Sequence, residues 1–145
     1  ELSVAQATET LTGAVHAFGL SIADMGYVGD VLAKAGAISN TSVDRMAESM
    51  KQASTVAEQY HMTIEDVSTA MVVLAKRNIT GSAAGTSLTN MMRDLSNPHG
   101  RAKKAADELG FSAFDKNTGA TKNLYDQILP ELREKLGKYT MRRPL

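Results

Sequence analysis

Cysteine is absent from this chain, which excludes disulfides and thiolate metal sites and fits a reducing compartment. Tryptophan is absent too, and aromatic residues make up only 5% of the sequence. A core must therefore rest on Ala, Leu, Ile, Val and Met, and Ala-rich faces suit closely packed helices better than a sheet. Long apolar runs are also missing. The longest, Ala70 to Ala75, falls far short of the roughly 20 residues that span a bilayer, so no stable membrane insertion is expected. Neither sign of charge dominates: 16 basic side chains balance 16 acidic ones. No signal peptide is visible. The chain opens at Glu1 rather than Met and closes at Leu145 without a closing signal, which reads as a fragment of a longer protein.

What is present fits one ordinary domain or two small helical lobes, since 145 residues can bury on the order of 70% of the surface of the unfolded chain. The balanced charge is unevenly placed. Residues 1–100 carry 6 basic and 10 acidic side chains, and residues 101–145 carry 10 basic and 6 acidic. The resulting −4 and +4 are too mild for nucleic acid, whose binding needs a concentrated basic face. Arg101, Lys103, Lys104, Arg142 and Arg143 motivate an alternative, a helical domain that docks a partner or nucleic acid. Read plainly, they are solvated surface.

Helix-start signals recur. Ser3, Ser21, Thr41 and Thr63 are each followed three residues on by an acceptor, namely Gln6, Asp24, Asp44 and Asp66. Such a hydroxyl satisfies an otherwise unpaired N–H, and the acceptor reaches back in return. Apolar residues then follow at period 3.6. The stripes are Val4, Leu11, Val15, Phe18; Ile22, Met25, Val28, Leu32; Val43, Met46, Met50, Ala57, Tyr60; and Ile64, Val67, Met71, Leu74. Gly19, Gly36 and Asn78 sit where a left-handed residue closes a helix. Gly26 and Gly29 weaken the second helix by about 1 kcal/mol each. A fifth helix spans about Ser82 to Leu95, started by Gly81 and Gly85 and ended by Asn97-Pro98.

Beyond Pro98 the character changes. Arg101 to Leu109 reads as a short basic helix stopped by Gly110. Residues 111–122 have the alternation and turn residues of one small β-hairpin. A last helix runs from Asn123 towards Leu136, with Pro130 expected to kink or divide it. An offset of 42 residues superimposes Leu20–Asp24 on Met62–Asp66, Val31–Lys34 on Val73–Lys76, Gly36 on Asn78 and Met50 on Met92. A duplicated helical hairpin, 20–50 and 62–92, explains this, as does the general likeness of amphipathic helices. The expected fold is mainly α: a multi-helix bundle of helical hairpins, with room for one short β-hairpin near 111–122. Its expected parts are 1–98, the hairpin core, and 99–145, a basic helix, short hairpin and C-terminal helix.

No constellation for chemistry emerges. His16, His61 and His99 have no His or Cys partner at i+3 or i+4, and a zinc site needs three or four convergent ligands. His16 reads as a partly buried helix residue and His61 as a loop residue. No nucleophile elbow, phosphate-cradling loop or H-E-x-x-H occurs. Met46, Met50, Met71, Met91 and Met92 read as core, with adaptable partner contact as the other use of methionine. No catalytic, cofactor-binding or metal residue is assigned, and no cofactor is expected.

Three stretches together resemble the conserved region of phage tail tape measure (minor tail) proteins. They are Leu11–Leu20 with Val31-Leu-Ala33; Ser39–Val43; and Ile79–Leu88, ending at Leu95-Ser-Asn-Pro98. Ala105–Phe111, Phe114-Asp115 and Gly119 fit the same pattern. The resemblance covers about residues 3–136. It implies a helical, non-catalytic structural module of a long protein inside the tail tube, acting in tail length determination, tail assembly and DNA delivery. Its implied partners are the tail tube, other tail proteins and further copies of itself, with no small-molecule substrate. Its implied places are the lumen of the virion tail and, during assembly, the host cytoplasm. Some relatives carry wall-degrading domains elsewhere, so an accessory region of such a protein is the remaining alternative.

Overall fold

The computed structural model describes residues 3–142. The protein is 75% helical, with seven α-helices and no strand among the described residues. Two compact units divide the chain, Glu1–Asn90 and Met91–Leu145. The division falls within the fifth helix, earlier than Pro98.

In the first unit, α1 (Val4–Ala17) starts on a full capping box. The Gln6 N–H donates to Ser3 Oγ at 3.2 Å, and the Ser3 N–H to Gln6 Oε1 at 3.0 Å. Gly19, at φ 63, closes it. Its apolar stripe is shorter than expected: Val15 is fully buried but Val4 is 85% exposed. A single 3-10 turn, Ile22–Asp24, leads into α2 (Met25–Ser39). Here the backbone N–H and hydroxyl of Ser21 both donate to Asp24 Oδ2, at 2.9 and 2.8 Å.

Gly36 does not end α2. The helix runs on to Ser39, and Asn40 takes the left-handed conformation at φ 53. Gly36 serves close approach instead, because a Cβ there would lie 2.7 Å from the Thr41 carbonyl oxygen. That approach lets the Thr41 N–H donate to Gly36 O at 2.9 Å and turn the chain. The cap of α3 (Val43–Gln59) likewise falls on Ser42 rather than Thr41, with the Arg45 N–H donating to Ser42 Oγ at 3.3 Å.

Thr63 caps α4 (Ile64–Ala75) as expected: the Asp66 N–H donates to Thr63 Oγ1 at 3.2 Å, and the Thr63 N–H to Asp66 Oδ2 at 3.0 Å. Helix α5 (Gly81–Ser96) starts at Gly81, whose φ is 62. Next to it Ser49 Oγ donates to Gly81 O at 2.8 Å, tying α5 to α3. α2 packs on α4, α1 on α3, and α3 on α4. Val15, Val28, Leu32, Met46, Met50, Val67, Met71 and Leu88 are all at most 1% exposed and make the core of this unit.

Positions paired by the 42-residue offset differ in surroundings. Met50 and Met92 are both buried, but Ile22 is 68% exposed where Ile64 is 3% exposed. Leu32 is fully buried and Leu74 half-buried; Gly36 is helical and Asn78 left-handed, at φ 62.

In the second unit, α6 (Gly100–Leu109) ends at Gly110, φ 62. The 111–122 hairpin is reduced to one antiparallel bridge, Phe114 with Thr121. Asp115 makes the expected turn: its carboxylate accepts from the N–H groups of Asn117 and Thr118 at 2.9 Å each. Bonds from the Asp115 N–H to Ala120 O and from the Lys122 N–H to Ala113 O, 2.8 Å each, flank the bridge. A wide π turn, Leu124–Ile128, then runs without a break into α7 (Leu129–Arg142). Pro130 therefore neither ends nor divides the helix. It falls in the first turn of α7, after Ile128 and Leu129 have donated five residues back, to Asn123 O and Leu124 O. The widened turn makes room for a ring that cannot donate. Leu124, Ile128 and Ala113 form the local core.

Candidate functional site

The histidines occupy surface positions. His16, expected to be partly buried, is exposed in the last turn of α1; His61 is exposed at φ 51, in the turn after α3; His99 is exposed before α6. His16 and His61 nevertheless line one groove of about 520 Å³, with Glu58 and Glu65 on its walls and Phe18, Tyr27 and Met62 among its apolar residues. Their separation in sequence hides this shared location. Among the described residues no group of three or more His, Cys, Asp or Glu is placed to hold a metal ion. No helix there is long and apolar enough to cross a membrane.

Of the methionines assigned to stripes, Met46, Met50, Met71 and Met92 are buried, and Met91 is 40% exposed. Arg101, Lys103 and Lys104 are exposed on α6, with Lys103 paired to Asp107 at 3.3 Å. Arg142 ends α7, and Arg143 lies outside the described residues.

Three carboxylates have lowered pKa values. Hydrogen bonds from the Ser21 hydroxyl and backbone stabilise the ionised form of Asp24. The backbone N–H groups of Thr118 and Asn117, with the Thr118 hydroxyl, do so for Asp115. Lys138 does so for Glu134, through a hydrogen bond and its charge. All three groups are solvent-facing, and their shifts follow from local caps and pairs.

A more telling surface was missed by the stripes. Tyr27, Val31, Ile38 and Val72 line a groove of about 440 Å³ along α2 and α4, flanked by Lys34 and Glu65. Tyr27 is 44% exposed and Ile38 54%. The signal was readable: α2 is apolar at 27, 31 and 38 as well as at 28, 32 and 35, wider than one buried face requires.

On an α-helical scaffold an apolar groove is one place where a partner helix can seat. Comparison with known proteins gives this scaffold its family. Residues 1–142 match the model of a family described as phage-related minor tail protein. Over 114 residues the chain is 34% identical to the tape measure protein of Pneumococcus phage Dp-1, covering 79% of this chain. Over 128 residues it is 31% identical to the "Probable tape measure protein" of Escherichia phage P2, covering 88% of this chain. The chain belongs to the phage-related minor tail proteins, and the two relatives named here are tape measure proteins. It spans 10% and 16% of the length of those two relatives. No solved structure matches it.

Proposed function

We propose that this chain is the compact helical part of a tape measure protein and acts in tail length determination, tail assembly and DNA delivery. The match of residues 1–142 to the minor tail family carries this reading. The module works by contact: its partners are the tail tube, other tail proteins and further copies of itself, and it takes no small-molecule substrate. It resides in the lumen of the virion tail, and in the host cytoplasm while the tail is built. It is not an enzyme; its carboxylates serve as caps and pair partners, as with Asp24, Asp66 and Glu134.

An in-frame deletion of residues 3–142 from the parent gene tests this. Electron microscopy of lysates should show tails missing or altered in length, and the purified chain should release no muropeptides from cell walls. Tails of unchanged length and normal infectivity would overturn the proposal.

A further inference from the structure

Helix α2 buries one side and leaves another apolar side uncovered. Val28, Leu32 and Ala35 lie in the core, while Tyr27 and Ile38 stay 44% and 54% exposed beside Val31 and Val72 in the α2/α4 groove. Val73, 58% exposed, extends the apolar surface of α4. Isolated exposed apolar side chains are ordinary, but a row along two packed helices marks a contact surface. Glu65 and Lys34, on the groove wall, have no ion-pair partner among the described residues.

In the second unit, α7 offers a matching shape. Leu129 and Leu136 are 41% and 48% exposed, two helical turns apart on one face. Arg133 lies between them and also has no ion-pair partner among the described residues. Net charge favours contact between the first unit of one copy and the second unit of another. Residues 1–90 carry nine acidic and five basic side chains, and residues 91–145 carry seven acidic and eleven basic. The units are thus −4 and +4.

We infer that the α2/α4 groove is the docking site for α7 of a second copy of this chain. Leu129 and Leu136 seat along Tyr27, Val31 and Ile38, and Arg133 faces Glu65. This is the helix-in-groove mode of recognition, with apolar anchors supplying affinity and opposite charge setting orientation. The contact is heterologous, groove meeting helix rather than itself, so copies add head to tail into a closed ring or an open chain. The inference rests on the self-association proposed above and names the surfaces that carry it.

Sedimentation velocity of the full chain tests it, over a range of protein concentration and salt. The wild type should associate, more weakly as salt rises. Ile38→Glu spoils only the groove and Leu136→Arg only the helix. Each variant alone should weaken association at least about tenfold, with helical dichroism unchanged. Mixed one to one, they should form a heterodimer that grows no further, because one intact groove and one intact α7 remain. Glu65→Arg should weaken association, and Glu65→Arg with Arg133→Glu should restore it, which guards against a misfolded Ile38 or Leu136 variant. A wild type that stays monomeric overturns the self-association reading itself. A wild type that associates while both variants associate equally well overturns only the assigned surfaces. Variants that fail alone and also fail when mixed overturn the groove-to-helix geometry.

Discussion

A single glycine in this protein can be a cost or a necessity, and only its surroundings tell which. At Gly26 in α2 an added Cβ meets nothing within 4 Å, so Gly26→Ala removes backbone freedom from the unfolded chain without a clash. It should stabilise the protein by about 0.5–1 kcal/mol in urea denaturation. At Gly85 the same Cβ would lie 2.4 Å from Ser49 O and 2.5 Å from Gln52 Cβ, forcing α5 off α3. Gly85→Ala should lower the urea midpoint, by about 1–3 kcal/mol of stability. Asp115 gives the pH dependence at this scale. Its folded pKa lies below its ordinary value of 3.8 because its carboxylate accepts three hydrogen bonds. The stabilisation is therefore complete above 3.8 and is lost as pH falls through the lowered folded value. Amide shifts of residues 115–121 should hold their folded pattern at pH 5 and lose it in that acid range. A titration of those amides centred above 3.8 would contradict this.

The helices owe their boundaries to caps that look alike in sequence and differ in geometry. At Thr63 the hydroxyl accepts from the Asp66 N–H, and Thr63→Ala should cost about 1 kcal/mol. At Ser21 the hydroxyl instead donates to Asp24, whose Oδ2 also accepts from the Ser21 backbone N–H, a bond that survives truncation. Ser21→Ala should cost well under half as much by chemical denaturation; equal losses would mean that the two caps work alike. In the second unit the fastening comes from further along the chain. Lys135 Nζ donates to the carbonyls of Leu109 and Gly110, at 3.0 and 3.1 Å, placing a cation at the C-terminal end of α6. Glu131 holds Lys122 at 2.5 Å and Lys135 at 3.6 Å, so α7 organises the loop and α6 through one carboxylate.

At the scale of the whole molecule the chain forms two compact units, Glu1–Asn90 and Met91–Leu145. We propose that residues 1–98 fold alone, because Val15, Val28, Leu32, Met50, Val67, Met71 and Leu88 all lie within that stretch and are buried. The stretch also keeps α5 intact, through Ser96. A purified 1–98 fragment should show helical dichroism and a cooperative thermal transition. A broad, non-cooperative melt would count against it. Within that fragment Leu32→Ala should cost about 2–5 kcal/mol, and Ile22→Ala no more than about 0.5.

Local chemistry was legible in the chain before any fold was known. Hydroxyl-and-acceptor pairs at Ser3 and Thr63 named their helix starts, because a cap needs only residues three apart. The 3.6-residue period found the buried Val15, Leu32, Met50 and Met71, since a helix presents one face whatever it packs against. The resemblance to tape measure proteins also lay in linear order, as motif spacing does. Other features required the tertiary structure. Gly36 looked like a helix end and proved to be a point of close approach, because only the returning Thr41 carbonyl makes its missing Cβ matter. Val4 and Ile22 fit their stripes and remain exposed, since periodicity gives a direction but not how far the neighbouring helices reach. Residues 111–122 turn at Asp115 as their sequence suggests, but how far the two arms pair, here a single bridge, is decided by the tertiary structure. The α2/α4 groove exists because two helices 42 residues apart in the pattern lie side by side, and adjacency of that kind is settled by packing.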